Sequence, residues 1–213
     1  MIDGPRIVPR STAPTSLVIL LHGYGSNGDD LISLAPYWSP ALPATVFVAP
    51  NAPEPCPGAP DGYQWRSLTI QGPDARAAGV ERSAEILDTF IDAELARYGL
   101  TEAQLALVGF SQGTMMALQV GPRRRRPLAG IVGYSGNLTD EAGLADPTIT
   151  RPPILLIHGD ADPMIPIAAF HRTMAALTRN GFTVEGHVSP GLGHSIDMAG
   201  VQLGGAFLAR VLG

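Results

Sequence analysis

Lysine is absent from this chain of 213 residues, cysteine occurs once and charged residues make up only 15%. Each shortage closes off a class of function. All 14 basic residues are arginine and 19 acidic ones outweigh them, for a net charge of −5. That balance offers no electrostatic attraction to nucleic acid or to an anionic membrane surface. The single cysteine, Cys56, has no internal disulfide partner, so nothing asks for an oxidising compartment. The longest apolar run, Leu17 to Leu21, falls far short of the roughly 18 residues that a membrane span needs. The first residues, Met1-Ile2-Asp3-Gly4-Pro5, lack the charged stretch leading into an apolar one that marks a secretory signal. The expectation is a cytoplasmic protein.

What is present is apolar. Hydrophobic residues reach 45%, enough for a sizeable core, and 25 glycines with 20 prolines punctuate short elements without any collagen-like period. Leu- and β-branched-rich runs predict buried strands at 17–21, 45–49, 105–108, 130–134, 154–157 and 183–188. Helical spacing runs from about 74 to 98, where Val80, Ala84, Leu87, Ile91 and Leu95 recur, and Gly99 stands where a C-cap belongs. Further helices are expected at 112–120, 166–179 and 196–212. Strand–helix alternation over the whole length predicts one α/β domain, residues 1–213, with a mostly parallel sheet covered on both faces. The Pro-rich stretch 50–60 reads as an ordered surface loop. Arg123-Arg124-Arg125-Arg126 reads as a solvated loop at a helix C-terminus, where the helix dipole favours cations.

In such sheets ligands bind beyond the carboxyl ends of the strands, so the residues after each apolar run carry the search. After 105–108 comes Gly109-Phe110-Ser111-Gln112-Gly113, a G-x-S-x-G between strand and helix. A tight turn there lifts the Ser111 hydroxyl above the sheet, and the helix N-terminus offers free N–H groups where an oxyanion would form. Serine needs a base. Of His22, His158, His171, His187 and His194, the last sits in the Gly-rich loop Pro190-Gly191-Leu192-Gly193-His194 after the final strand, from which it can reach Ser111. His171 falls in a helical pattern and His187 in a strand. An acid should lie between Ser111 and His194 in chain order. Asp160 and Asp162 both follow the strand at 154–157, and spacing prefers Asp162 only weakly. His22-Gly23-Tyr24-Gly25 is the natural source of a second oxyanion donor, the Tyr24 N–H beside that of Gln112. Trp65, Leu68 and Ile70 in a lid-like loop, with Met164 and Ile165, are candidates for an acyl channel.

Taken in order, Leu20-Leu21-His22-Gly23-Tyr24-Gly25-Ser26-Asn27-Gly28-Asp29-Asp30-Leu31, Pro50-Asn51-Ala52-Pro53, Gly109-Phe110-Ser111-Gln112-Gly113, His158-Gly159-Asp160-Ala161-Asp162-Pro163 and Gly193-His194 resemble the phospholipase/carboxylesterase family of small α/β-hydrolases, which includes acyl-protein thioesterases. The resemblance covers residues 16–212. It implies an α/β-hydrolase fold, Ser111 as nucleophile, Asp162 as acid, His194 as base, and the Tyr24 and Gln112 N–H groups as oxyanion hole. It also makes His22 and His158 structural. Two departures stand out. Tyr63-Gln64-Trp65-Arg66-Ser67-Leu68 lies near where eukaryotic members carry a Ser-Trp-Phe-Asp-like segment and looks like a bacterial variant. The stretch before Leu17 is short, leaving little room for a first peripheral strand.

The expected activity is hydrolysis of short- to medium-chain acyl esters through an acyl-enzyme, with lysophospholipid or acyl-protein thioester hydrolysis as the alternative. It needs no metal or organic cofactor. The expected partner is a small ester with an apolar acyl chain. An apolar lid would also give two copies a surface to pair across, so a homodimer stays open. A dienelactone-hydrolase-like enzyme would carry cysteine at position 111. A non-catalytic binding protein of this fold would lack a member of the Ser/Asp/His set, and all three are here.

Overall fold

The computed structural model describes residues 2–9, 13–69 and 72–213. Its strands are β1 (Arg6–Ile7), β2 (Ser16–Leu21), β3 (Thr45–Val48), β4 (Glu54–Pro55), β5 (Tyr63–Gln64), β6 (Leu105–Phe110), β7 (Gly130–Tyr134), β8 (Ile154–Gly159) and β9 (Val184–Ser189). The α-helices are α1 (Gly28–Ile32), α2 (Ala35–Trp38), α3 (Pro73–Tyr98), α4 (Gln112–Val120), α5 (Ile167–Arg179) and α6 (Met198–Leu212). Seven strands form one sheet in the order β1-β3-β2-β6-β7-β8-β9, and every pairing is parallel except β1 on β3. This is the doubly covered, mostly parallel sheet expected of an α/β-hydrolase.

The alternation of side chains along β2 divides the interior in two. Leu17, Ile19 and Leu21 pack on one face with Leu87, Phe90 and Ile91 of α3, Met116 and Leu118 of α4, and Phe170 and Leu177 of α5. Val18 and Leu20 face the other side, against Trp38 of α2 and Val201, Phe207 and Leu208 of α6. A strand buried on both faces reads as a continuous apolar run, which is why β2 was legible. α3 ends as its sequence promised, with Gly99 in the left-handed region at φ 66. No helix among the described residues is long and apolar enough to cross a membrane.

Three expectations need correction. The peripheral strand is present: Arg6–Ile7 pairs antiparallel with Phe47 and Val48 at the sheet edge, and the short lead-in merely shortens it. The loop at 50–60 contributes β4 to a small hairpin with β5. The arginine run is not simply solvated. Arg124 is 6% exposed and binds Asp88 (2.7 Å), Asp92 (2.6 Å) and Glu102 (3.2 Å). Arg123 binds Asp140 at 2.7 Å. A guanidinium with five donors can serve several carboxylates at once, so Arg124 ties α3 to the segment leading into β6.

Candidate active site

β6 hands over to α4 at Ser111, held at φ 54, ψ −115, a region that side chains rarely adopt. The flanking glycines make this turn possible by close approach. A Cβ on Gly113 would lie 1.7 Å from the Leu21 carbonyl oxygen, and one on Gly109 would lie 2.3 Å from the Thr114 nitrogen. The Ser111 N–H donates to Tyr134 O (2.9 Å). The Thr114 hydroxyl lies 2.8 Å from both Gly109 O and Tyr134 O, sharing its one proton between them.

His194 reaches the same rim because its loop is pinned to the end of β8. Asp160 N donates to Ser189 O (3.2 Å), Ala161 N to Leu192 O (3.0 Å), and Gly191 N to Asp160 Oδ1 (2.6 Å). Asp160 therefore anchors the loop, while Asp162 meets the imidazole: His194 Nδ1 lies 2.7 Å from Asp162 Oδ2. The other oxygen, Oδ1, accepts the N–H groups of Met164 (2.8 Å) and Ile165 (2.9 Å). Burial pushes the Asp162 carboxyl up, but the Ile165 amide, His194 and the Met164 amide together outweigh it and hold it below the usual value. An ionised acceptor requires Nδ1 of His194 to carry the proton. His158, fully buried, has Nε2 2.8 Å from Ile165 O and 3.4 Å from Asp162 Oδ2, so it braces the Asp162–Ile165 turn.

The Gly-rich loop after β2 comes alongside Ser111: a Cβ on Gly23 would lie 3.3 Å from that of Ser111. Neither the Tyr24 N–H nor the Gln112 N–H has an acceptor among the described residues. The Cys56 thiol pushes the ionisation of the neighbouring Tyr24 hydroxyl up. His22 braces the loop from below, with Nδ1 2.7 Å from Gly23 O and Nε2 accepting the Ala52 N–H at 2.9 Å. Accepting the Ala52 N–H requires a neutral imidazole, and burial, the largest influence, holds the His22 pKa below its usual 6.5 against the opposing pull of Gly23 O. The sign follows. Unfolded chain takes up a proton near pH 6.5 that folded chain refuses, so this contribution is complete above that pH and shrinks as pH falls. Asp162 adds a further loss only below about 3.8. Melting temperature is expected to fall between pH 7 and pH 5, with His22 supplying at most about 1.4 kcal/mol per pH unit. Thermal melts that stay level across that range would contradict the assignment.

Ser111 and His194 line one cavity of about 500 Å3, together with Gly23, Tyr24 and Gln112. No hydrogen bond joins the Ser111 hydroxyl to the imidazole, whose Nδ1 is engaged by Asp162. Leu68, Met164 and Ile165 line it. Trp65 does not. Its side chain is fully buried, its indole N–H donates to His22 O (3.0 Å), and its backbone N–H donates to Gln112 Oε1 (3.1 Å). It is scaffold beneath the loop after β2 rather than cavity wall, because the indole N–H has to find an acceptor once buried. Ile70 lies outside the described residues. His171 is exposed on α5 and His187 is half-buried in β9, neither at the cavity. Sequence reasoning missed Phe110, whose ring centroid lies 5.0 Å from that of His194, and Met115, Asn137, Ala169 and Arg172 of the wall. The Gln112 side chain was missed too: Nε2 donates to Arg66 O (3.0 Å), fastening the 65–66 segment to the head of α4.

The sequence pattern of phospholipase/carboxylesterase proteins matches residues 2–212. The chain belongs to that family. It is 32% identical over 191 residues to esterase YpfH of Escherichia coli K12, covering 87% of this chain and 78% of that one. It is 27% identical over 209 residues to acyl-protein thioesterase 1 of Gibberella zeae, covering 90% and 88%. Among solved structures, esterase PE8 superimposes with a TM-score of 0.93 at 42% identity over 99% of each chain. Membership of this family makes the protein a hydrolase of carboxylic esters.

Proposed function

We propose that this chain is one serine carboxylesterase domain that hydrolyses short- to medium-chain acyl esters, with Ser111 as nucleophile, His194 as base and Asp162 as acid. The observation carrying this reading is the 2.7 Å bond between His194 and a buried, doubly amide-held Asp162, at the wall of the cavity that Ser111 shares. Asp162 keeps the proton on Nδ1 and leaves the Nε2 lone pair to Ser111. As substrate docks, His194 takes the hydroxyl proton while Oγ attacks the ester carbonyl; such bonds often tighten only in the complex. The N–H groups of Tyr24 and Gln112 receive the oxyanion, each worth about 3 kcal/mol of barrier. The alcohol leaves with the proton from His194, and water repeats the sequence on the acyl-enzyme to release the acid.

The apolar wall formed by Leu68, Phe110, Met115, Met164 and Ile165 suits an acyl chain. A series of 4-nitrophenyl esters is expected to give its highest kcat/KM between butyrate and octanoate and to fall about tenfold by palmitate, since added methylenes outrun a bounded wall. Indifference to chain length would remove the apolar channel. Similarity to the Gibberella zeae thioesterase favours a second reading, hydrolysis of acyl thioesters by the same groups. A fluorophosphonate probe should label Ser111 covalently, and a panel of aryl esters, lysophospholipids and acyl thioesters ranks the substrates. Ligand binding with no labelling would favour a non-catalytic role.

A further inference from the structure

The chain is acidic overall, yet among the described residues no Asp or Glu lines the cavity around Ser111, and the charged residues that do are Arg66 and Arg172. Arg172 projects from α5, where Pro166, Ala169 and Arg172, spaced three residues apart, bring one helix face to the cavity. It is exposed and makes no ion pair or hydrogen bond among the described residues. No neutralising partner is within its helix, since Ile167–Arg179 contains no acid. The segment packed on α5 through the Leu138 N–H to Thr173 Oγ1 bond (3.0 Å) does carry acids, but both are taken: Asp140 binds Arg123 and Glu141 binds Arg179. A guanidinium with open donors thus stands in the wall of the pocket that Ser111 shares. A planar fork of that kind matches a carboxylate or phosphate group.

We propose that Arg172 makes this site select acyl esters that also carry an anionic group, a carboxylate or phosphate, on the acyl or the alcohol half. The inference rests on Ser111 being the nucleophile and deepens that reading. Beyond the apolar contacts, the anion docks on Arg172.

Two substrate pairs test it. Mono-4-nitrophenyl glutarate against 4-nitrophenyl pentanoate places the anion on the acyl half; 4-(butyryloxy)phenyl phosphate against phenyl butyrate places it on the alcohol half. In the wild-type protein the anionic member of one pair is expected to gain in kcat/KM relative to its neutral partner, and R172Q to lower that ratio about tenfold, the scale of a charge-assisted hydrogen bond. The responding pair identifies which half bears the anion. R97Q, on α3 and outside the cavity, is expected to leave both ratios where they were. High salt should erode the preference. If R172Q changes anionic and neutral esters alike, or neither ratio responds, the inference is overturned while Ser111-dependent hydrolysis stands. Hydrolysis that survives in S111A overturns the nucleophile reading instead.

Discussion

Replacing Ser111 by alanine is expected to lower kcat by about four orders of magnitude or more, since members of a nucleophile–base–acid unit fail together. It should do so without unfolding the chain. The more discriminating comparison is with glycine at the same position. Ser111 sits at φ 54, ψ −115, where a Cβ is strained, so alanine keeps the strain and glycine releases it. Strain of this kind costs on the order of 1–3 kcal/mol, while glycine loses roughly 0.5–1 kcal/mol through a freer unfolded chain. Release wins. S111G should therefore melt about 2–4 °C above S111A, both being inactive. Equal melting temperatures would mean that the strain is no larger than the roughly 0.5–1 kcal/mol that glycine costs; residual turnover within a hundredfold of wild type would remove Ser111 from the chemistry.

Gly113→Ala is the second large effect, and it acts on the fold. Its new methyl would sit 1.7 Å from Leu21 O and 2.4 Å from Leu21 C, both backbone atoms. Leu21 ends a strand held between β3 and β6, so it has nowhere to retreat. The expected cost exceeds about 4 kcal/mol, at the far end of what single substitutions do. Gly79 supplies the control. It lies in α3 with nothing among the described residues within 4 Å of an added Cβ, so Gly79→Ala should stabilise by about 0.5–1 kcal/mol. Denaturant midpoints measure both. A G113A protein with a wild-type midpoint would show that α4 and β2 are not in the close contact described.

Much of the fold was readable because the sheet is buried on both faces. Each central strand advertises itself as an apolar run, and α3, α5 and α6 carry helical spacing long enough to register. The elements that escaped, β1, the β4–β5 hairpin, α1 and α2, span two to five residues. No periodicity can emerge over that length; long-range pairing decides them. Site motifs were legible for a related reason. A strand-to-helix turn, a glycine loop and two strand ends each leave a local signature, and parallel topology brings those ends to one rim.

The sequence by itself determined the strand–helix alternation, the Ser111 turn and the short set of candidates for its partners. Tertiary structure alone decided that Asp162 meets His194 while Asp160 ties down the loop, for the two aspartates differ only in which way a turn aims their carboxylates. It also decided that Trp65 supports the site from within and that Arg172 faces the cavity. Whether a side chain is wall or scaffold depends on what packs behind it, and that neighbour is distant along the chain.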